Sequence, residues 1–234
     1  MNSHTRYLDP LRHVKFFAAV KHGDQKYSGG LPYTHHLAAV EAVLRRFEPD
    51  IRATLARTMF VKHVSAVGMP LGEDAFTCSE FEQLLAAAWL HDVVEDTSGT
   101  SQETKCKDVA EMFGDSVADL VAAVTEFEQI LTAAWLHDVI EDAGGTSQET
   151  YPKIRSVRGA VALKLADRIA NVEAGGSLVA MYQEEYEDFR RALHTAGEYE
   201  ATWAHLDALL RPAAESKTDE GPIILKRARS RSRP

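Results

Sequence analysis

Cysteines and long apolar runs are scarce in this chain of 234 residues. Only Cys78 and Cys106 are present, which excludes a small secreted scaffold held together by disulfides and favours a reducing compartment. No apolar run approaches the roughly 20 residues of a membrane span, and the polar first six residues differ from a signal peptide. We therefore expect a cytoplasmic protein that does not associate with membranes.

Alternation of polar and apolar residues, the pattern of a half-buried β-strand, is also lacking. Apolar side chains instead recur at helical spacing, as in the stripe formed by Leu37, Val40, Val43, Leu44 and Phe47. The sequence therefore predicts an all-α helical bundle. We expect its helices at residues 10–22, 34–47, 50–66, 80–94, 105–113, 115–125, 126–142, 157–173, 178–195 and 198–210.

Charge is unevenly distributed along the chain, whose formal net charge is −9. Residues 222–234 contain five Lys and Arg residues and no acid, so the rest of the chain is more acidic than the total. An acidic body argues against broad nucleic-acid binding. We interpret residues 1–211 as one domain and residues 212–234 as a disordered basic tail, which is either simply solvated or contacts RNA or an acidic partner.

The chain contains one internal repeat. Residues 80–104, the first copy, and residues 126–150, the second copy, are identical at 20 of 25 positions when aligned at an offset of 46. A solenoid needs three or more units, so we interpret the repeat as a recent duplication or an assembled segment. Each copy contains a His-Asp pair followed by a Glu-Asp pair.

The His-Asp segment of the first copy has the spacing of a metal site on a helix. Residues four apart share a helix face, so His91 lies over Glu95 and Asp92 lies over Asp96. An imidazole and three carboxylates suit a hard or borderline divalent cation and the water that it activates. Carboxylates this close together on an apolar helix are costly unless a cation or solvent neutralises them.

Four separated motifs then occur in a recognisable order. They are Pro32-Tyr33-Thr34-His35-His36, His91-Asp92, Glu95-Asp96 and Lys164-Leu165-Ala166-Asp167-Arg168-Ile169-Ala170-Asn171. This order resembles the HD-domain metal phosphohydrolases. Within them the chain is most similar to the guanosine polyphosphate 3′-pyrophosphohydrolases, which include the hydrolase domain of the RelA/SpoT enzymes and the small alarmone hydrolases.

The resemblance implies roles for individual residues. It implies metal ligation by His36, His91, Asp92 and Asp167. The metal in this family is usually Mn²⁺, and two imidazoles with two carboxylates also suit other divalent transition metals. Glu95 and Asp96 resemble the acidic pair that positions and deprotonates water or protonates the leaving group.

Five further residues are implied to bind the substrate. Asn171 would hold the ribose or a phosphate, and Lys164 and Arg168 would meet phosphate charge, although Arg168 could equally pair with a structural carboxylate. Lys26 and Tyr27 occupy the place where long relatives have a basic pair against the guanine base, so Tyr27 is expected to stack where an arginine would lie.

The two copies of the repeat cannot both complete a site that contains a single His36 and a single Asp167. The first copy leaves room for two helices before the chain returns at Asp167, so we expect it to form the site. We interpret Trp89 and Trp135 as core residues. The second copy contains six acids and no Lys or Arg where relatives have a basic segment, which should weaken binding of a polyanion.

The resemblance implies hydrolysis of guanosine 3′,5′-bis(diphosphate), with release of pyrophosphate from the 3′ position. A second hypothesis keeps the metal site and changes the substrate to another nucleotide phosphate, such as the 2′-phosphate of NADPH. A third is an impaired or regulatory HD-domain binding protein whose second copy distorts the pocket. The sequence does not predict an oligomeric state.

Overall fold

The computed structural model describes residues 11–67, 78–96, 102–138, 151–176 and 178–211. Within these ranges it describes the side chains of residues 11–57, 80–94, 105–125, 127, 154–176 and 179–211. The predicted basic tail, residues 212–234, lies outside the described residues, and so do residues 139–150 of the second copy.

The described chain is helical from end to end, which confirms the predicted all-α fold. Its only extended pairing is an isolated bridge between Lys26 and Pro32. The helices are α1 (Arg12–His22), α2 (Thr34–Arg46), α3 (Glu48–Val67), α4 (Cys78–Asp96), α5 (Gln102–Phe113), α6 (Asp115–Asp138), α7 (Tyr151–Ser156), α8 (Ala160–Ala174), α9 (Leu178–Glu184), α10 (Tyr186–Leu193) and α11 (Glu200–Leu210).

Helix α4 lies at the centre of the bundle. It packs against α1, α2, α6 and α8, while α8 also packs against α2 and α11. Side chains on all sides of α4 are buried from Leu84 to Val94. A helix that is apolar all round has to be enclosed by other helices. The first His-Asp pair is therefore delivered to the interior of the bundle rather than to its surface.

Helix α6 corrects the prediction that residues 115–125 and 126–142 form two helices. One continuous helix runs over Asp115–Asp138, because no Gly or Pro interrupts the junction between the unique sequence and the second copy. The buried stripe of Leu120 and Val124 continues into Phe127, whose ring lies 6.1 Å from that of Phe189. The start of the second copy is thus the continuation of α6.

Differences from the prediction also occur at the start of α8 and within residues 178–195. Helix α8 begins at Ala160, immediately after Gly159, whose φ of +88° favours glycine. A Cβ atom at Gly159 would lie 3.4 Å from the side chains of both Leu120 and Leu84, so this residue also marks a close approach of three helices. The predicted helix 178–195 is two helices, α9 and α10, which meet at the buried Glu185.

Within the described ranges, no helix combines the length and the hydropathy that crossing a membrane would require.

Candidate metal centre

Three helices bring the four predicted metal ligands together. His36 comes from the first turn of α2, His91 and Asp92 from α4, and Asp167 from the middle of α8. His36 Nε2 lies 3.3 Å from Asp92 Oδ2 and 3.2 Å from Asp167 Oδ1. His91 Nε2 lies 3.2 Å from Asp92 Oδ1 and 3.6 Å from Asp167 Oδ1. The histidine of the first copy therefore shares one cluster with His36 and Asp167.

The ring of His91 is oriented as a metal ligand would be. Its Nδ1 lies 2.9 Å from the carbonyl oxygen of Ala88, so the proton is on Nδ1 and Nε2 is the ring nitrogen that faces the cluster. That Nε2 atom is buried and has no hydrogen-bond partner among the described residues. A buried polar atom without a partner is costly, and a cation in the cluster would satisfy it.

The carboxylate of Asp167 is held by two residues of its own helix. Lys164 Nζ donates to Asp167 Oδ2 at 2.6 Å, and Asn171 Nδ2 donates to Oδ1 at 2.8 Å. Lys164 is 3 % exposed, so its ammonium group is committed to the interior of the bundle. In this arrangement Lys164 holds a carboxylate in place, a contact that the sequence analysis did not predict.

Asp92 is held by a residue to which the sequence analysis gave no role. The hydroxyl of Tyr33 donates to Asp92 Oδ2 at 2.9 Å. The ring of Tyr33 stacks on the buried His22 with centroids 4.4 Å apart, and His22 Nδ1 lies 2.8 Å from Gln25 Oε1. The sequence feature that could have indicated this role is the position of Tyr33, three residues before the predicted ligand His36.

The protonation behaviour of the cluster follows from its crowding. Burial alone would lower the pKa of His36, but hydrogen bonds and charge from Asp167 and Asp92 raise it to about 9. The pKa of His91 is raised against burial by the charge of Asp92 and by Asp167. The pKa values of Asp92 and Asp167 are lowered, against burial, chiefly by charge from His91 and Lys164 respectively. The carboxylates are thus anions that attract positive charge.

The residues present fit a divalent transition metal. One ligand atom each from His36, His91 and Asp167 lies within 4.8 Å of the others, and Asp92 adjoins both imidazoles. Adjacent ligand atoms of an ion with bonds of about 2.1 Å lie about 3 Å apart. The distances between the imidazole nitrogens and the carboxylate oxygens of the cluster, from 3.2 Å to 3.6 Å, are close to this value. Two imidazoles and two carboxylates without a thiolate suit Mn, Fe or Zn better than Ca.

Tyr27 lies over the cluster. Its ring stacks on His36 with centroids 4.9 Å apart, and its hydroxyl donates to Asn171 Oδ1 at 2.7 Å. Burial first, then the charges of Asp167 and Asp92, raise the pKa of Tyr27. Two residues predicted to bind substrate, Tyr27 and Asn171, are therefore hydrogen-bonded to each other beside the ligands, while Lys26 is exposed on the preceding loop.

Arg168 does not face the cluster, and of its two predicted roles the structure shows the pairing with a structural carboxylate. The side chain is 1 % exposed and its guanidinium pairs with the buried Glu185. The rings of Tyr182 and Phe189 each lie 4.3 Å from the guanidinium carbon. Arg168 sits one residue after Asp167, so on a helix it points about 100° away. These contacts of Arg168 hold α8 against α9 and α10.

The predicted catalytic pair lies at the edge of what the structure describes. Glu95 and Asp96 belong to the last turn of α4, one turn beyond His91 and Asp92, and their side chains lie outside the described residues. The side chains of His137 and Asp138, the corresponding pair of the second copy, lie outside them as well.

The end of α4 is held by a lysine of α5. Lys105 Nζ donates to the carbonyl oxygen of Val94 at 3.0 Å and so satisfies one terminal carbonyl group of α4.

The sequence pattern of the HD domain matches residues 15–206 of this chain. The chain belongs to the HD-domain family. The matched region includes all four predicted ligands and every helix that supplies them. It places the chain among the HD-domain metal phosphohydrolases, the family that its motifs predict.

Relatives of this HD domain include larger proteins. Over 168 residues the chain is 28 % identical to the bifunctional (p)ppGpp synthase/hydrolase SpoT of Escherichia coli K12. It is equally similar to the proteins named guanosine-3′,5′-bis(diphosphate) 3′-pyrophosphohydrolase of Escherichia coli O157:H7 and Shigella flexneri. The aligned region covers 72 % of this chain and 18 % of each relative.

Proposed function

We propose that this HD domain hydrolyses guanosine 3′,5′-bis(diphosphate) at the 3′ position and releases pyrophosphate. The observation that carries the proposal is the convergence of His36, His91, Asp92 and Asp167 around the buried Nε2 of His91, which has no hydrogen-bond partner in the described part of the chain. The similarity to the 3′-pyrophosphohydrolases supports the choice of substrate. The reaction would add water across the bond between the 3′ oxygen and phosphorus, which leaves GDP and pyrophosphate.

The residues around the cluster would prepare it for a cation, for which we propose Mn²⁺. When bound, such a cation polarises a phosphoryl oxygen and lowers the pKa of a bound water. Tyr33 and Lys164 hold the two carboxylates, and the carbonyl group of Ala88 holds the ring of His91. These contacts fix the donor atoms before the cation arrives, so little reorganisation is needed on binding.

Glu95 and Asp96 are proposed to handle the protons of the reaction. Their position one helical turn after His91 and Asp92 puts them on the same side of α4 as the ligands. One carboxylate would accept a proton from the attacking water, and the other would protonate the 3′ oxygen as it leaves. The 3′ oxygen thereby leaves as a hydroxyl group rather than as a costly alkoxide.

The substrate would enter beside Tyr27 and Asn171. The ring of Tyr27 offers a face for a nucleoside base, and Asn171, which is partly exposed, offers an amide to the ribose. Lys164 and Arg168 are committed to Asp167 and Glu185. We therefore expect phosphate charge to be met mainly by the cation and by the exposed Lys26.

One observation favours a second candidate substrate. Because two of the predicted phosphate-binding cations are used inside the bundle, the site suits a ligand with less phosphate charge than a bis(diphosphate). A nucleotide with a single 2′- or 3′-phosphate, such as NADPH, fits this description. The ring of Tyr27, which lies beside the cluster, would stack on the base of either nucleotide.

A substrate comparison tests the proposal. The purified protein is loaded with Mn²⁺ and offered guanosine 3′,5′-bis(diphosphate), GTP and NADPH, and released pyrophosphate and phosphate are measured separately. Pyrophosphate from the first compound alone is the expected result. Phosphate from NADPH supports the second candidate, and absence of all turnover after verified metal loading supports an impaired or regulatory binding protein.

The same assay separates the two copies of the repeat. Asp92→Ala removes a carboxylate of the cluster, whereas Asp138→Ala removes its counterpart in the second copy. We expect Asp92→Ala to abolish turnover and Asp138→Ala to retain it. Loss of turnover in the Asp138 variant alone would transfer the active site to the second copy.

A further inference from the structure

We infer that Trp89 and Glu41 are positioning residues: a buried hydrogen bond between them fixes α4 against α2 so that His91 and Asp92 meet His36. The inference rests on the proposed metal site and adds two residues to it. Trp89 Nε1 donates to Glu41 Oε2 at 2.7 Å. Trp89 is 6 % exposed and Glu41 is 8 % exposed, so the bond lies in the interior.

The bond gives the two packed helices a second polar contact. The first is at the cluster, where His36 of α2 lies 3.3 Å from Asp92 of α4. The second lies five residues further along α2 and three residues back along α4, which is the order of contacts expected for antiparallel helices. Apolar packing between helices is not directional, whereas two hydrogen-bonding contacts along the axis fix how far one helix is shifted and rotated against the other.

Two further contacts hold the carboxylate of Glu41 in this position. It also pairs with Lys15 Nζ of α1 at 3.0 Å, and it accepts from Arg45 Nε at 2.9 Å. Although burial raises it, hydrogen bonds from Trp89, Arg45 and Lys15 bring the pKa of Glu41 below its usual value. Lys15 in turn lies 5.3 Å from the centre of the Trp89 ring. Three helices thus meet at one ionised carboxylate.

A metal site is sensitive to this kind of support. Ligand distances have to be kept within about 0.2 Å, while a slip of one helical turn displaces a side chain by about 5.4 Å. Residues that orient ligands from outside the coordination shell typically alter metal affinity 10–100-fold when replaced. Loss of the Trp89–Glu41 bond should therefore weaken metal binding more than it weakens the fold.

A matched set of tryptophan variants tests the inference. Trp89→Phe removes the indole donor and keeps an aromatic ring. Trp203→Phe makes the same change at a buried tryptophan whose Nε1 has no hydrogen-bond partner among the described residues. Trp135→Phe makes it in the second copy. Mn²⁺ affinity is measured by electron paramagnetic resonance titration, and metal-free stability is measured by urea unfolding.

We expect Trp89→Phe to raise the Kd for Mn²⁺ at least about tenfold, and we expect the Trp203 and Trp135 variants to bind like the wild type. Equal weakening by Trp89→Phe and Trp203→Phe would show a general packing effect and overturn the inference. Unchanged affinity in Trp89→Phe would overturn it too. A wild-type protein that binds no Mn²⁺ would overturn the proposed function and, with it, the basis of this inference.

Variants of Glu41 provide a second route if Trp89→Phe does not fold. Glu41→Gln keeps an oxygen acceptor for the indole and should retain most of the affinity, whereas Glu41→Ala should lose as much affinity as Trp89→Phe. The double variant of Glu41→Ala and Trp89→Phe should bind no worse than either single variant, because all three lack the same bond. Fully additive losses would contradict the pairing.

Discussion

The metal-free protein should become less stable as the pH rises from 6.5 to 9. The neighbouring carboxylates of Asp167 and Asp92 raise the pKa of His36 from 6.5 to about 9 in the folded protein. A raised pKa means that the protonated imidazole stabilises the fold. That contribution is complete below pH 6.5, the value in the unfolded chain, and it is lost as the pH rises through 9.

The size of the effect follows from the shift. Each pKa unit corresponds to about 1.4 kcal/mol, so His36 contributes about 3 kcal/mol in the metal-free protein at low pH. The free energy of unfolding is measured by urea titration in the presence of a chelator at intervals across this pH range. His36→Gln should have a shallower slope than the wild type, and the slope that remains should come from His91, whose pKa is raised as well. His35→Gln, at the exposed neighbouring position, should keep it.

Addition of saturating Mn²⁺ should reverse the trend, because a metal binds the neutral imidazole and competes with its proton. The stabilisation by metal should therefore grow as the pH rises from 6.5 to 9. Equal slopes in the wild type and in His36→Gln would refute the reasoning, and so would a metal-free protein that becomes more stable across this window.

Three further variants test separate parts of the structure. Gly159→Ala should destabilise the fold by about 1–3 kcal/mol in urea unfolding, because its φ is +88°; unchanged stability would contradict the conformation at the start of α8. Arg168→Ala should lower the free energy of unfolding by about 3–5 kcal/mol, since Glu185 is left buried without its partner. Replacing both residues by Met should restore much of the lost stability. An Arg168→Ala protein that folds normally but binds substrate poorly would instead indicate that Arg168 contacts phosphate. Tyr33→Phe should change stability by only about 1 kcal/mol yet raise the Kd for Mn²⁺ about 10–100-fold, and unchanged affinity would remove Tyr33 from the support of Asp92.

Local periodicity was sufficient to predict the fold class and most helices, because each helix carries its own apolar stripe. It failed at the junction of α6. The repeat suggested a boundary at residue 126, but a boundary between repeated sequences is not a helix end unless a breaker residue stands there. Helix α7, which has six residues, is too short for a periodic pattern and was not predicted.

The cluster could be predicted because its four residues lie in short motifs with a fixed order. Their supporting contacts could not be predicted in the same way. The pairs Trp89–Glu41 and Arg168–Glu185 join residues that are not on the same helix, so no spacing along one helix reveals them. Arg168 illustrates the point: its charge suited either a phosphate or a structural carboxylate, and the packing between helices shows that it pairs with Glu185. Which buried polar groups pair is decided by packing between helices.

Crystals grown with Mn²⁺ and measured at the manganese absorption edge would test the central claim most directly. We predict one strong anomalous difference peak bounded by His36, His91, Asp92 and Asp167, with the two imidazoles contributing Nε2. A peak beside His137 and Asp138, or none at the cluster in crystals shown to contain manganese, would contradict the account.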